Sequence, residues 1–319
     1  MKLFVTGGAG FIGANFIHYW AAEYPNDRLY CIDSLTYAAQ LDNIRALIDG
    51  QKCTFICADI GDAPKMREIF TRYAPDIVVN FAAESHVDRS IEDASVFVRT
   101  NIQGVQVLLD ECRRGNVRFH QVSTDEVYGD LPLGRKDMKF GEKSLLKPSS
   151  PYAATKASAD LLALASWRTH KTPVTITRSS NNYGRFQHIE KLIPRTMFQI
   201  VNNRPPIIYG TGENVREWIH VDDHCRAIDF VLKKGKIGEV YNVSSGFEIS
   251  NIELVRLILR AAGKDEASVV YTSDRKGHDL RYALDCSKIG AETGWKPQIS
   301  FSDGLKRTVE WYLSALRAR

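Results

Sequence analysis

Thr124, Asp125 and Glu126 set a hydroxyl and two adjacent carboxylic acids at the end of an apolar run over 118–122. Ligands in open α/β sheets bind at the carboxyl ends of strands, so a strand at 118–122 would deliver this acid–base pair to a reactive position. One carboxyl donates a proton and the other accepts one if their surroundings hold them in opposite protonation states. A solvated turn before Gly129 has the same composition, so the pair alone decides nothing. Tyr152 and Lys156 form a second constellation. Ser150 is suited to cap a helix with Pro151 at its first position, and residues four apart on that helix project from one face. A phenol of pKa about 10 is a poor base at neutral pH; a neighbouring ammonium favours the phenolate, and three units of depression correspond to roughly 4 kcal/mol. Y-x-x-x-K recurs on ordinary helices and points to chemistry only inside a cofactor-binding fold.

The elements that would position these groups begin at the first residues. An apolar run at 2–5 leads through Thr6-Gly7-Gly8-Ala9-Gly10-Phe11-Ile12-Gly13 into an amphipathic segment at 11–24. In that strand–turn–helix context Gly8-x-Gly10-x-x-Gly13 fits a dinucleotide fingerprint, in which glycines allow a tight turn and let backbone N–H groups approach a pyrophosphate. A second run at 29–32 ends at Asp33, whose carboxylate would bind a ribose diol and repel a 2′-phosphate, so NAD is favoured over NADP. A strand at 54–58 ends at Asp59-Ile60, a plausible adenine-binding pair. A helix at 62–73, a strand at 77–81 ending at Ala82-Ala83-Glu84-Ser85-His86, and a helical pattern at 91–114 continue the alternation. Strands separated by helices imply right-handed βαβ units.

The pattern changes beyond a strand at 174–177. A helix at 192–202, a short strand at 207–209, a strand-like run at 215–221 and a helix at 222–234 predict a second lobe. The fold class expected is α/β: a Rossmann-type doubly wound parallel sheet with a smaller C-terminal substrate-binding α/β lobe. The NAD-binding domain spans 1–180, with about 217–240 packing back on it, and 181–319 mainly forms the second lobe, which the resemblance given below makes the nucleotide-sugar-binding one. At 319 residues the chain can bury a sizeable core, and its 42 Lys and Arg against 38 Asp and Glu leave only +4, which argues against a nucleic-acid partner. No apolar stretch approaches the about 18 residues of a membrane span, and Met1-Lys2 leads straight into a strand, so a cytoplasmic protein is expected. Six scattered cysteines without a C-x-x-C pair read as reduced core thiols. His220 and His224 lack a third partner and read as structural histidines, so no metal is expected.

Together TGGAGFIG (6–13), DSLTYA (33–38), AAESHVDRSI (82–91), STDEVYG (123–129), SPYAATKA (150–157), RSSNNYG (178–184), EKLIP (190–194) and DRKGHDLRYALD (274–285) make the chain resemble the extended short-chain dehydrogenase/reductase superfamily. Within it the closest likeness is to the dTDP-glucose 4,6-dehydratase family, and Asp125 is the sharpest discriminator. The resemblance implies a catalytic set of Thr124, Asp125, Glu126, Tyr152 and Lys156. It implies NAD contacts from Gly7, Gly10, Phe11, Ile12 and Gly13, from Asp33, Ser34, Leu35 and Thr36, and from Asp59 and Ile60. Further NAD contacts fall to Ala82, Ala83, Ser85 and Thr100, and to Tyr152, Lys156 and Asn182. Substrate contacts fall to Ser85, His86, Thr124, Asn181, Lys191 and Leu192, and to Ile207, Tyr209, Arg216, Asn251, Arg275 and His278. Arg185, Glu217 and Lys276 depart from the family's usual Pro, Asp and Pro, which bears on the choice between thymine and uracil more than on the chemistry.

The reaction implied is NAD-dependent dehydration of dTDP-glucose to dTDP-4-keto-6-deoxyglucose by internal hydride transfer. UDP-glucose 4,6-dehydratase and nucleotide-sugar 4-epimerase are the enzymatic alternatives, and an NAD-binding sensor is the non-enzymatic one. The apolar positions Val96, Val98, Ile102, Val105, Val107, Leu108 and Leu109, and Ala159, Leu161, Leu162, Leu164, Ala165 and Trp167, exceed one sheet-facing stripe. The resemblance assigns the surplus to a homodimer built on these two helices.

Overall fold

The computed structural model describes residues 1–317. Its strands are β1 (Lys2–Thr6), β2 (Arg28–Asp33), β3 (Cys53–Cys57), β4 (Ile77–Asn80), β5 (Arg118–Thr124), β6 (Val174–Ser179), β7 (Asn181–Tyr183), β8 (Ile207–Tyr209), β9 (Val215–His220), β10 (Val240–Val243), β11 (Phe247–Ser250) and β12 (Val270–Thr272). Seven of them form one sheet in the order β10-β6-β5-β4-β1-β2-β3. Every pairing in it is parallel. The order reverses direction between β1 and β4, and at such a switch point a crevice opens beyond the strand ends. The expected doubly wound α/β sheet is therefore present.

Both faces of the sheet are covered, so its strands read as nearly continuous apolar runs. One face packs Phe4, Val78, Phe119 and Ile176 against the helices Ala63–Tyr73, Val105–Gly115 and Pro151–His170. The other packs Leu3, Val5, Val79 and Val122 against Phe11–Glu23 and Val221–Lys234. Within the sheet, the Thr6 hydroxyl donates to Asn80 Oδ1 (2.5 Å) and Asn80 Nδ2 donates to Gln121 Oε1 (2.8 Å). This buried ladder ties β1, β4 and β5 together just below the crevice.

The helical pattern expected over 91–114 is broken. Val87–Glu92 ends where Asp93 turns extended, and Asp93 Oδ1 accepts the Ser95 N–H (2.8 Å) to start the next turn. A π-helical stretch, Val98–Gly104, follows and leads into Val105–Gly115. The wide turn aims Asn101 inward, where Nδ2 donates to Thr155 Oγ1 (2.9 Å) and Oδ1 accepts the Glu84 N–H (2.9 Å). A π-bulge thus fastens the 82–86 loop to the Tyr152 helix.

The smaller three-stranded sheet runs β11-β9-β7, and β12-β8 is a two-stranded parallel pair. Its core (Tyr183, Met197, Trp218, Leu254, Val309) is built with the helices Leu192–Val201, Asn251–Ala261 and Phe301–Arg317. The segment that returns to the large sheet consists of the helix Val221–Lys234 and β10, whereas β9 stays in the smaller sheet. His220 caps that helix, its Nδ1 accepting the Asp222 N–H (3.3 Å). All six cysteines are free.

Candidate active site

The glycine turn joins β1 to the helix Phe11–Glu23. Gly7 has a φ of +66°, and a Cβ there would lie 2.5 Å from the Ala82 nitrogen; at Gly13 it would lie 2.3 Å from the Gly7 carbonyl oxygen. The turn therefore uses Gly7, Gly10 and Gly13, which corrects the fingerprint read as beginning at Gly8. Gly8 instead packs inward, where a Cβ would meet Cys31 Sγ and the Ile17 Cδ1 at 2.7 Å. The result is a bare helix N-terminus in a crevice, suited to a diphosphate. Asp33, at the end of β2, accepts N–H bonds from Ala9 (3.0 Å) and Leu35 (2.8 Å), which fixes its carboxyl beside the turn. These residues fit NAD.

A cavity of about 340 Å³ follows the strand ends from Gly7 to Lys156. Every residue expected to touch NAD lines it except Leu35. Leu35 sits at a φ of +52° with its side chain in solvent, so the motif 33–38 passes it over the rim. A second cavity, about 190 Å³, lies over the smaller sheet and is lined by His86, Leu192, Ile207, Tyr209, Arg216, Asn251, Arg275 and His278. Ser85, Asn181 and Lys191 line both, and so does Glu126, whereas Thr124 lines only the first. Glu126 therefore stands where the two cavities meet.

The reactive groups converge there because β5 ends at Thr124 and a 3₁₀ turn, Asp125–Tyr128, carries the acids across the mouth of the crevice. The Thr124 hydroxyl donates to Asp125 Oδ1 (3.2 Å). Opposite, Ser150 caps the helix Pro151–His170, its Oγ accepting the Ala153 N–H (3.1 Å). Burial, then the Glu126 and Glu217 charges, push the Asp125 carboxyl well above its ordinary value. Burial also raises Glu126, but Lys191 and Arg216 pull it back. Both carboxyls are raised, and Asp125 is the one held further above its ordinary value.

Burial and the Glu126 and Asp125 charges drive the Tyr152 phenol well above 10, while a hydrogen bond with Thr124 opposes them. Lys156 was expected to face the phenol; its Nζ donates to the Val122 carbonyl (2.7 Å), and burial brings it down to about 8. Behind it, Asp160 binds Arg178 (2.8 Å) and Ser123 (3.0 Å), locking the helix to β5 and β6.

The cations of the second cavity are already partnered. Lys191 Nζ donates to the Ser85 carbonyl (2.9 Å). The Arg216 guanidinium donates to the carbonyls of Val215 (2.8 Å) and Asp279 (2.9 Å) and stacks on Tyr282. Arg275 pairs with Asp88 (2.5 Å), and His278 Nδ1 lies 2.7 Å from Asp274. His224 Nδ1 lies 2.9 Å from Asn182 Oδ1 and thereby orients an NAD-cavity residue. Several lining residues were not singled out from sequence, among them Glu84, Gln187, Glu190, Arg195, Trp218 and Tyr282. Periodicity would have found two of them: Arg195 is one helical turn from Lys191, and Trp218 is two along the strand from Arg216.

The chain matches the family described as GDP-mannose 4,6 dehydratase over residues 4–308. It is 48% identical over 314 residues to the low-salt glycan biosynthesis protein Agl12 of Haloferax volcanii, covering 98% of this chain and 99% of that one. It is 46% identical over 334 residues to a dTDP-glucose 4,6-dehydratase of Haemophilus influenzae, with 98% of both chains covered. Among solved structures it resembles DesIV, a dTDP-glucose 4,6-dehydratase from Streptomyces venezuelae crystallised with NAD bound, at a TM-score of 0.94 and 48% identity over 98% of this chain and 97% of the other.

Proposed function

The chain belongs to the GDP-mannose 4,6 dehydratase family of extended short-chain dehydrogenase/reductases, and we propose that Thr124, Asp125, Glu126, Tyr152 and Lys156 divide the work of a nucleotide-sugar 4,6-dehydratase. The enzyme dehydrates dTDP-glucose to dTDP-4-keto-6-deoxyglucose. NAD, which Gly7, Gly10, Gly13 and Asp33 would hold, would supply the hydride acceptor for the sugar C4 and the hydride donor for C6. Tyr152 takes the 4-hydroxyl proton, with Thr124 beside it and Lys156 supplying positive charge. The resulting 4-ketone acidifies the C5 hydrogen, which Glu126 removes. Asp125 gives its proton to the departing 6-hydroxyl, which leaves as water. Glu126 returns its proton to C5 as C6 is reduced.

Residues 1–180 would hold NAD, and 181–319, apart from the returning helix and β10, would hold the nucleotide sugar. Asn181, Lys191 and Arg216 are assigned to the diphosphate, Arg supplying a fork of donors and Lys a point charge. Arg275 and His278 lie close by in the same cavity. A cytoplasmic location is in keeping with free cysteines and with the absence of any helix, among the described residues, long and apolar enough to cross a membrane. The observation that carries the reading is the meeting of the two cavities at Glu126, beside a buried Asp125. A 4-epimerase has no use for this acid–base pair. Incubating the purified protein separately with dTDP-glucose and UDP-glucose should give the 4-keto-6-deoxy product by mass, faster with the former. No loss of water from dTDP-glucose would reject the assignment.

A further inference from the structure

Glu217 is fully buried, carries chemistry, and is unused by the mechanism above. Along β9 side chains alternate, and its neighbours Arg216 and Trp218 line the second cavity while Glu217 does not. Its carboxyl lies behind the reactive turn. Oε2 accepts the Leu284 N–H at 2.9 Å, and the Leu284 side chain packs on Val127 and Tyr128, the residues that complete the turn bearing Asp125. Two buried carboxyl oxygens in this region, Asp125 Oδ2 and Glu217 Oε1, have no hydrogen-bond partner in the protein. Each would be costly to leave charged.

We propose that Glu217 is a positioning residue for the elimination step, its anionic carboxyl behind Asp125 holding the proton there until the departing 6-hydroxyl takes it. This rests on the reading of Asp125 as the acid. A charge on Glu217 adds to what already disfavours ionisation of Asp125, so the surroundings of each carboxyl decide which of the two ionises first. Glu217 has the better support for a charge. Burial brings it up to about 7, opposed by the Leu284 N–H, a Ser244 hydrogen bond and the exposed Lys139. Its other charged neighbour, Glu248, sits opposite in the β9–β11 register but is answered by Arg281 at 2.6 Å. Cys286, beside Glu217, is pushed further from ionising. Asp125 faces Glu126, Glu217 and Tyr152, with a distant Arg216 and the Thr124 hydroxyl as its support. Glu217, brought up to about 7, is thus the carboxyl that ionises first, while Asp125 is held well above its ordinary value. A Glu in place of the resembled pattern's Asp reaches one methylene further from β9.

Difference infrared spectroscopy of the NAD-loaded enzyme tests this through the carbonyl stretch of a protonated buried carboxyl, assigned to Asp125 by its loss in Asp125→Asn. In Glu217→Gln the pH midpoint of that band should fall by about one unit or more, while Glu217→Asp, which keeps the charge, should hold it near the wild-type value. If Glu217→Gln does not fold, Lys139→Met, at an exposed position, should move the midpoint the same way by less, because Glu217 then keeps its own proton to higher pH. A band present in the wild type but unmoved in these variants overturns the proposal alone. A wild type with no Asp125 band at neutral pH overturns the acid role of Asp125 and this proposal with it.

Discussion

Asp125 and Glu126 carry the same functional group and differ only in what surrounds them. Asp125 is enclosed, with negative neighbours and one hydroxyl to lean on, whereas Glu126 faces Lys191 and Arg216 at the junction of two cavities. Replacing Asp125 by Asn preserves the shape and removes the transferable proton. Oxidation at C4 should then proceed while water loss slows on the order of 100-fold, the scale of a general acid. Stopped-flow absorbance of the nicotinamide would show NADH accumulating in Asp125→Asn, and wild-type turnover would remove Asp125 from its role. Tyr152→Phe should instead block NADH formation altogether while the protein still carries NAD, because the glycine turn that grips the cofactor lies elsewhere. Retained NADH formation in that variant would displace Tyr152 as the base at the 4-hydroxyl.

The glycine turn shows most plainly how an element imposes a residue. A methyl group at Gly13 would sit 2.3 Å from a backbone oxygen and at Gly7 2.5 Å from a backbone nitrogen, while at Gly10 the nearest atom is 3.3 Å away. Gly13→Ala and Gly7→Ala should therefore lose more NAD on purification than Gly10→Ala, as read from the ratio of released NAD to protein. Equal retention in all three would mean that the turn does not cradle the cofactor. The strand–turn–helix was legible because turn chemistry and apolar runs are local, and β5, the Ser150 cap and the placement of Tyr152 were legible for the same reason. What the chain did not disclose depends on contacts distant in sequence. The π-helical turn at Val98–Gly104 is tied down by Asn101 reaching Glu84 and Thr155. The Lys156 ammonium was expected at the phenol because one helix face brings the two residues together, but its partner is a strand carbonyl that no helical spacing predicts. β7, Asn181–Tyr183, is both short and polar, so no apolar run marks it as the equally short β8 is marked.

At the scale of the whole molecule, the two long apolar helices resolve into an inner and an outer part. Val105, Leu108, Leu109 and Ala159 belong to the chain's own core, and Val107, Leu162, Leu164 and Trp167 pack against it, so much of the surplus inferred from sequence is absorbed internally. Val96, Val98 and Leu161 are not, at 39%, 41% and 57% exposed. Val98 lies on the π-helical region and Leu161 on the Tyr152 helix, two elements that touch one another, whereas Val96, one turn earlier, lines the NAD cavity. Exposed apolar side chains on two touching helices suit an interface, and a two-fold axis beside them would pair each helix with its copy. We propose that the enzyme is a homodimer through these helices. Light scattering should give twice the chain mass at micromolar concentration, and Leu161→Asp, which places a charge at the most exposed position, should bring it towards the mass of one chain without loss of helix content. Because the same helix carries Tyr152 and Lys156 from its first turns, dissociation would also loosen the base it presents, so activity in Leu161→Asp should fall with dilution more steeply than in the wild type. A single-chain mass for the wild type would leave these residues as ordinary exposed apolar side chains and refute the dimer.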